Sequence, residues 1–259
     1  MTDSLPVPSS RHQPGNLVAE TVLVLGVGLG ASALYSVLAI VDRLTVGQPL
    51  NDQTAAMNTS VAPDRPWLDL SYQLVRILLA LVPALLALFL LRRDDPDAAR
   101  RMGFDLRRPG TNLIRGALLA AAIGLPGIAL YAAARALGLN ATVAPANLAD
   151  VWWAVPVLVL AAIENAVLEE VTMIGYLFTR WSQAGWSLPR IMVTSALVRG
   201  TYHLYQGFGG FLGNLVMGLV FGLVYNKTRR VAPLVVAHTL LDIVAFVGYA
   251  LLRGRVGWL

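Results

Sequence analysis

The stretch LVRILLALVPALLALFLL at residues 74–91 predicts a helix that spans a membrane. It contains one charged residue, Arg76, and approaches the roughly 20 apolar residues that an α-helix needs to cross a bilayer. Similar stretches recur along the whole chain, so we predict an all-α, polytopic transmembrane helical bundle of about seven spans, within a range of six to eight. The predicted spans are approximately residues 17–41, 69–91, 113–137, 155–179, 190–205, 210–226 and 231–252.

Composition supports a membrane protein and excludes several kinds of chemistry. The 259 residues are 56% hydrophobic and 14% charged, with a mean hydropathy of +0.63, which is well above that of a water-soluble domain. Cysteine is absent, which excludes disulfides, thiol nucleophiles and cysteine-ligated metals. The net charge of +5 comes from basic residues clustered between apolar spans. We therefore expect the lipid bilayer as a partner and no nucleic acid.

The chain is predicted to form one membrane domain with three parts. Residues 1–16 are polar and rich in Pro and Ser, and they predict a disordered cytoplasmic tail. Residues 17–150 predict N-terminal transmembrane helices, and residues 151–259 predict the transmembrane helices that hold the candidate site. No segment between the predicted spans exceeds about 27 residues, which leaves no room for a soluble catalytic domain.

The distribution of arginine predicts the orientation. The segments 92–115 and 227–230 are rich in basic residues and are expected in the cytoplasm, whereas 138–151 has none and is expected outside. This arrangement predicts a multi-pass plasma-membrane protein whose N-terminus lies in the cytoplasm. Glu20 and Arg76, near the ends of their spans, are expected to pack or snorkel to the interface in structural roles.

Seven further ionisable residues lie within the predicted spans of the C-terminal half. A charge at the bilayer centre costs on the order of 3 kcal/mol, so each one requires a reason. They occur in three stretches: ENAVLEEVTMIGY (residues 164–176), RGTYH (199–203) and HTLLD (238–242). Glu164 is about 140° around the helix from Glu169, so we expect it to face elsewhere and to have a structural partner.

Helical rise predicts that three of these residues share one layer. Counting from the arginines at the inner face, Glu169, His203 and His238 lie roughly 16, 20 and 12 Å deep in a core about 30 Å thick. A shielded carboxylate can take a proton from water, and an imidazole can orient that water or share the proton. A second imidazole could donate to the developing oxyanion. Asp242, four residues after His238, is expected to fix that ring in one tautomer.

The same residues leave other functions open. Glu169, His203 and His238 could ligate one divalent metal ion such as zinc, with Glu170 or a water completing the site, although no HExxH signature is present. The cofactor is therefore either one zinc ion or none, with water activated by Glu169 and His203 alone. A proton-coupled transporter and a non-proteolytic immunity or scaffold protein are the other functions considered.

The sixth predicted span contains features that favour close helix packing. Gly218 and Gly222 have the small-xxx-small spacing that lets helix backbones approach. Asn214 on the same span is predicted to support the bundle by hydrogen-bonding to a neighbouring helix.

The stretches EEVTMIGYL, YHLYQG and AHTLLD together resemble the CPBP family of intramembrane proteases, also called the Abi or type II CAAX prenyl endopeptidase family. The family pattern is EExxxR, FxxxH, then HxxxN or HxxxD on successive membrane helices, and the resemblance covers about residues 162–247. It implies that Glu169 activates water beside His203, and that His238 and Asp242 support the oxyanion. It further implies a membrane-associated peptide or protein as substrate.

Two positions depart from the family pattern. Ile174 stands in place of the arginine of EExxxR, and Arg199 in place of the phenylalanine of FxxxH. Glu170 therefore lacks the cation that the pattern would provide one turn later. Because Arg199 lies one turn before His203, we hypothesise that Arg199 supplies the missing guanidinium to Glu170 from the next span.

Overall fold

Residues 13–252 are described by the computed structural model, and α-helices dominate them. The helices are α1 (Pro14–Gly26), α2 (Leu29–Thr45), α3 (Pro66–Ala80), α4 (Val82–Asp94), α5 (Ala98–Arg101), α6 (Pro109–Ala136), α7 (Ala154–Glu169), α8 (Leu177–Gln183), α9 (Leu188–Tyr202), α10 (Phe208–Thr228) and α11 (Ala232–Leu252). The strands β1 (Thr54–Ala56) and β2 (Thr142–Ala144) form one short parallel pair. The predicted all-α helical bundle is confirmed.

The predicted count of seven spans is not confirmed. Within the described residues, four helical segments are long and apolar enough to cross a membrane: α3 with α4, α6, α10 and α11. A fifth would be α1 with α2, which the sequence predicted as one span but which bends by 60°. The predicted span at 190–205 corresponds to α9, which has only 15 residues. The predicted tail also ends early, since α1 begins at Pro14; residues 1–12 lie outside the described part.

A π-helix, Glu170–Tyr176, joins α7 to α8, so the chain is helical without interruption from Ala154 to Gln183. π-Helical turns are rare and occur frequently at functional sites. Here the change in helical winding begins at the second residue of the predicted glutamate pair.

Small residues bring α10 close to α9, as predicted for the sixth span. A β-carbon added to Gly218 would lie 3.0 Å from Ala196 Cα and 3.2 Å from Arg199 Cδ. One added to Gly222 would lie 3.2 Å from the Phe178 ring. This close approach positions Arg199, which belongs to the candidate site, against the backbone of α10.

The connection between β1 and α3 folds back along α3. Asp69, Gln73 and Arg76 line one face of that helix and hydrogen-bond to residues 58–62. The Arg76 guanidinium donates to Asn58 Oδ1 at 3.0 Å. Arg76 therefore packs against this connection, which agrees with the structural role expected for it.

Glu20 was also expected to snorkel, but it belongs to an ionic cluster that joins three helices. The buried Arg180 guanidinium on α8 donates to Glu20 Oε1 on α1 at 2.8 Å and to Asp94 Oδ2 on α4 at 2.7 Å. The Tyr176 hydroxyl also donates to Glu20, at 2.8 Å. Because Arg180 is 1% exposed, solvent cannot replace these partners, and the cluster fixes one end of the helix that carries the glutamate pair.

Arg180→Met is expected to lower the free energy of unfolding by about 3 kcal/mol, because it removes the buried cation of Glu20 and Asp94 and leaves only the exposed Arg93 near them. The measurement is thermal unfolding of the detergent-solubilised protein. Arg93→Met is the matched control: Arg93 is 51% exposed and lies 3.5 Å from Glu20, so its loss should change stability by less than about 1 kcal/mol. Equal effects of the two substitutions would contradict a structural role for the buried cluster.

Candidate active site

The centre of the site is the glutamate pair at the junction of α7 and the π-helix. Glu169 is the last residue of α7, and Glu170 is the first of the π-helix. Their relative exposures are 2% and 0%, so both carboxylates are removed from bulk solvent. Buried carboxylates require charged or hydrogen-bonding partners, and the two residues find different ones.

Glu170 forms the bidentate ion pair with Arg199 that the sequence predicted. Arg199 Nη1 donates to Glu170 Oε1 at 2.8 Å, and Nη2 donates to Oε2 at 2.9 Å. Both side chains are fully buried, so the charges are compensated within the protein. The hypothesis that Arg199 replaces the family arginine is confirmed as a contact, and Ile174 is simply buried in the apolar core.

Glu169 has a different environment on each oxygen. Its Oε2 accepts a 2.6 Å hydrogen bond from the Tyr202 hydroxyl and lies 3.6 Å from Arg199 Nη1. Its Oε1 lies 3.7 Å from His203 Nε2, which is too far for a direct hydrogen bond. One oxygen is therefore held by α9, and the other faces the His203 imidazole without a direct hydrogen bond.

His203 follows the last residue of α9 and begins the turn into α10. Its Nε2 is buried and has no hydrogen-bond partner within residues 13–252, and its Nδ1 lies 3.3 Å from Gln206 Nε2. A buried polar atom that faces a carboxylate without a partner indicates a place where a further polar group binds.

His238 on α11 is held differently from the prediction. Its Nδ1 lies 2.7 Å from Glu170 Oε1, whereas Asp242 Oδ2 is 3.7 Å from its Nε2. Glu170, rather than Asp242, is therefore the carboxylate that fixes the ring. Asp242 accepts a 3.0 Å hydrogen bond from Asn165 Nδ2 on α7 instead.

The sequence of the segment that contains this site matches a known family. Residues 151–244 match the family model described as type II CAAX prenyl endopeptidase Rce1-like. The resemblance inferred from the three motifs is thereby confirmed over this segment. The matched region contains both glutamates, Arg199, both histidines of the site and Asp242. No curated protein and no solved structure matches the chain.

Two residues proposed from sequence lie apart from the cluster. Asn214 Nδ2 donates to Gly210 O, four residues earlier on its own helix, and not across to a neighbour as predicted. Glu164 interacts electrostatically with Arg76, and also with Glu169 and Asp242 of the cluster.

Three residues that contact the site were not anticipated: Tyr202, Asn165 and Gln206. Each had a weak positional signal, since Asn165 is one turn before Glu169, Tyr202 adjoins His203, and Gln206 is three residues after it. Their spacing in the sequence does not predict their hydrogen-bond partners, because each hydrogen bond depends on how the helices and the turn are oriented.

The donor set for a metal differs from the predicted one. Among the described residues, Glu169, Glu170 and His238 have ligand atoms within 4.8 Å of one another, whereas zinc was predicted on Glu169, His203 and His238. Both oxygens of Glu170 accept from Arg199, whose positive charge opposes a divalent cation at the same carboxylate. A metal-ligating histidine normally donates its other nitrogen to an acceptor, but His203 Nδ1 faces an amide donor. These two contacts favour a site without a metal ion, whereas Glu169, Glu170 and His238 are the donors that could hold one.

Proposed function

We propose that this chain is an intramembrane endopeptidase that hydrolyses peptide bonds of a membrane-associated peptide or protein. The family match over 151–244 supports this class of hydrolase. The observation that carries the proposal is the buried Glu169, whose Oε1 faces His203 Nε2 at 3.7 Å while Tyr202 holds its other oxygen. A water bound beside this pair would have the Glu169 carboxylate as its proton acceptor and the imidazole as a polar neighbour.

In the proposed reaction, Glu169 acts as the general base. A water bound to Oε1 loses a proton to the carboxylate as its oxygen forms a bond to the carbonyl carbon of the substrate. The resulting tetrahedral intermediate carries the negative charge on the former carbonyl oxygen. When the C–N bond breaks, the protonated Glu169 returns the proton to the leaving amine, so the carboxylate is regenerated.

Positive charge and imidazole N–H groups are available to stabilise the intermediate. Arg199 lies 3.6 Å from Glu169, and Glu170 connects Arg199 to His238. In this assignment Arg199 and Glu170 are positioning residues, because they act through Glu169 and His238 rather than on the substrate. His203 and His238 are the candidate contacts to the reacting carbonyl.

The exposed fractions of the site residues indicate where a substrate enters. Glu169 and Glu170 are inaccessible, whereas the His203 and Asp242 side chains are 12% and 16% exposed. We infer that the peptide approaches from the side of these two residues, and that Asp242 with Asn165 lines the entrance. The plasma-membrane location and the cytoplasmic N-terminus remain predictions from the arginine distribution.

The test is incubation of the purified, detergent-solubilised protein with a library of membrane peptides in isotopically labelled water. We expect internal cleavage products that carry one labelled oxygen at the new carboxyl terminus, detected by mass spectrometry. Intact peptides throughout, with a folded protein, would support the non-proteolytic scaffold and refute the protease.

Metal removal provides a separate prediction. Because Arg199 compensates Glu170 and an amide faces His203, dialysis against a strong chelator should leave the cleavage rate within about twofold of the untreated value. The measurement pairs initial rates with elemental analysis of the same samples. A loss of activity that added zinc restores would show that the site is a metal centre.

A further inference from the structure

Gln206 lies in the turn that follows His203, and its side chain is unusually well fixed. Its Nε2 lies 3.3 Å from His203 Nδ1 and donates to the Tyr205 hydroxyl at 3.0 Å. Its backbone is also held, because its carbonyl accepts from Ala141 N at 2.8 Å. The side-chain amide therefore has little freedom to move away from the imidazole.

Packing against α10 favours one orientation of this amide. A β-carbon on Gly210 would lie 2.8 Å from Gln206 Cβ and 3.0 Å from Gln206 Oε1, so only glycine leaves room for the side chain. With Oε1 on that side, Nε2 faces three groups that can accept, namely the His203 ring, the Tyr205 oxygen and the Met57 sulfur. The reverse orientation would place Oε1 against the Met57 sulfur, which has no hydrogen to donate.

We propose that Gln206 is a positioning residue that holds His203 in the tautomer with its proton on Nε2. A neutral imidazole has one donor and one acceptor nitrogen, so a donor at Nδ1 requires the hydrogen to reside on Nε2. That hydrogen points towards Glu169 Oε1 and the place of the reacting groups. The effect of the tautomer on catalysis rests on the proposed peptidase function, whereas the assignment of the tautomer does not depend on that function.

Glu169 and His203 therefore have different roles in the proposed reaction. An imidazole that carries its proton on Nε2 cannot accept one there from water, so Glu169 is the single base. His203 instead donates from Nε2 to the carbonyl oxygen of the substrate as negative charge develops on it. The proton balance given above is unchanged, because His203 keeps its proton throughout.

The tautomer can be measured directly in the full-length protein with nitrogen-labelled histidine. The sequence has three histidines, His12, His203 and His238, so each ring can be assigned by single substitutions. Two-bond proton–nitrogen correlations are expected to show His203 protonated at Nε2 and unprotonated at Nδ1. A wild-type spectrum with the His203 proton on Nδ1 would overturn the inference, whatever the peptidase assay shows.

Two variants test the role of the amide. Gln206→Leu should allow a population with the proton on Nδ1 and lower kcat about tenfold with little change in KM, since one neutral hydrogen bond is lost. Gln206→Glu should place a proton on Nδ1, because the carboxylate accepts one. Gln48→Glu, on an exposed loop position, is the control for added charge and should alter neither spectrum nor rate.

The outcomes separate this inference from the peptidase proposal. An unchanged His203 spectrum in both Gln206 variants would refute the positioning role even if the wild type cleaves peptides. The expected spectra in a protein that cleaves no peptide would leave the tautomer assignment intact and refute the proposed function.

Discussion

Glu169→Gln is expected to lower kcat by about 10²- to 10⁴-fold, because the substitution removes the general base and keeps its shape. The amide can still accept from the Tyr202 hydroxyl through its oxygen, so the local structure should persist. The KM should change by less than about threefold, since Glu169 is expected to act on water rather than to bind the substrate. Initial rates over a range of peptide concentrations measure both constants.

The control for this substitution lies on the same helix. Glu164→Gln makes the same chemical change five residues earlier, at a carboxylate that interacts at longer range with Arg76 and also with Glu169 and Asp242. It should leave kcat within about twofold of the wild type. A comparable loss in both variants would indicate that charge within α7, rather than base catalysis, sets the rate. Retained activity in Glu169→Gln would exclude the proposed base.

Arg199→Phe is expected to abolish measurable cleavage and to destabilise the fold. It restores the family residue at this position but leaves Glu170 as a buried carboxylate without a cation, at a cost of about 3–5 kcal/mol. Because Glu170 also fixes His238, the ring should lose its orientation as well. Peptide cleavage and thermal unfolding in detergent measure the two effects.

A second substitution should reverse the first. Ile174→Arg restores the family arginine one turn after Glu170, and in combination with Arg199→Phe it should recover stability and a measurable fraction of activity. In contrast, Arg199→Leu combined with Glu170→Leu removes both charges, so it should recover stability without activity. If the Ile174→Arg double variant is as inactive as Arg199→Phe alone, Arg199 does more than replace the family cation.

The sequence predicted the all-α helical bundle, and several residues that it proposed for the site lie together in the structure, while their roles stay predictions. Glu169, His203 and His238 are spread over 70 residues, yet counting helical rise along three predicted spans placed them in one layer, although His203 lies just beyond the end of α9. The Arg199–Glu170 pair was likewise predictable, since a missing cation and an additional cation at matching positions compensate one another. Ionisable residues within an apolar sequence are informative because burial without a partner is so costly.

Features that depend on local winding were not predictable. Three predicted spans are not among the four: α1 and α2 are bent, α9 is short, and residues 154–183 are divided by the π-helix into α7 of 16 residues and α8 of 7. Apolar composition does not reveal where a helix breaks. The partner of His238 was also predicted wrongly, since Glu170 and not Asp242 contacts its ring. A spacing of four residues on α11 favours Asp242, but the nearer carboxylate comes from another helix.

The π-helical turn has a consequence for how this chain is aligned with others. Such a turn accommodates one residue more than the α-helical turn it replaces, so it behaves as a single inserted amino acid inside an otherwise regular helix. A relative without the insertion would keep the Glu169 end and the Arg180 end on the same faces only if one position between 170 and 176 were left as a gap. Ungapped alignments across this helix would therefore pair residues that occupy different faces, and they would misassign the position of the missing arginine.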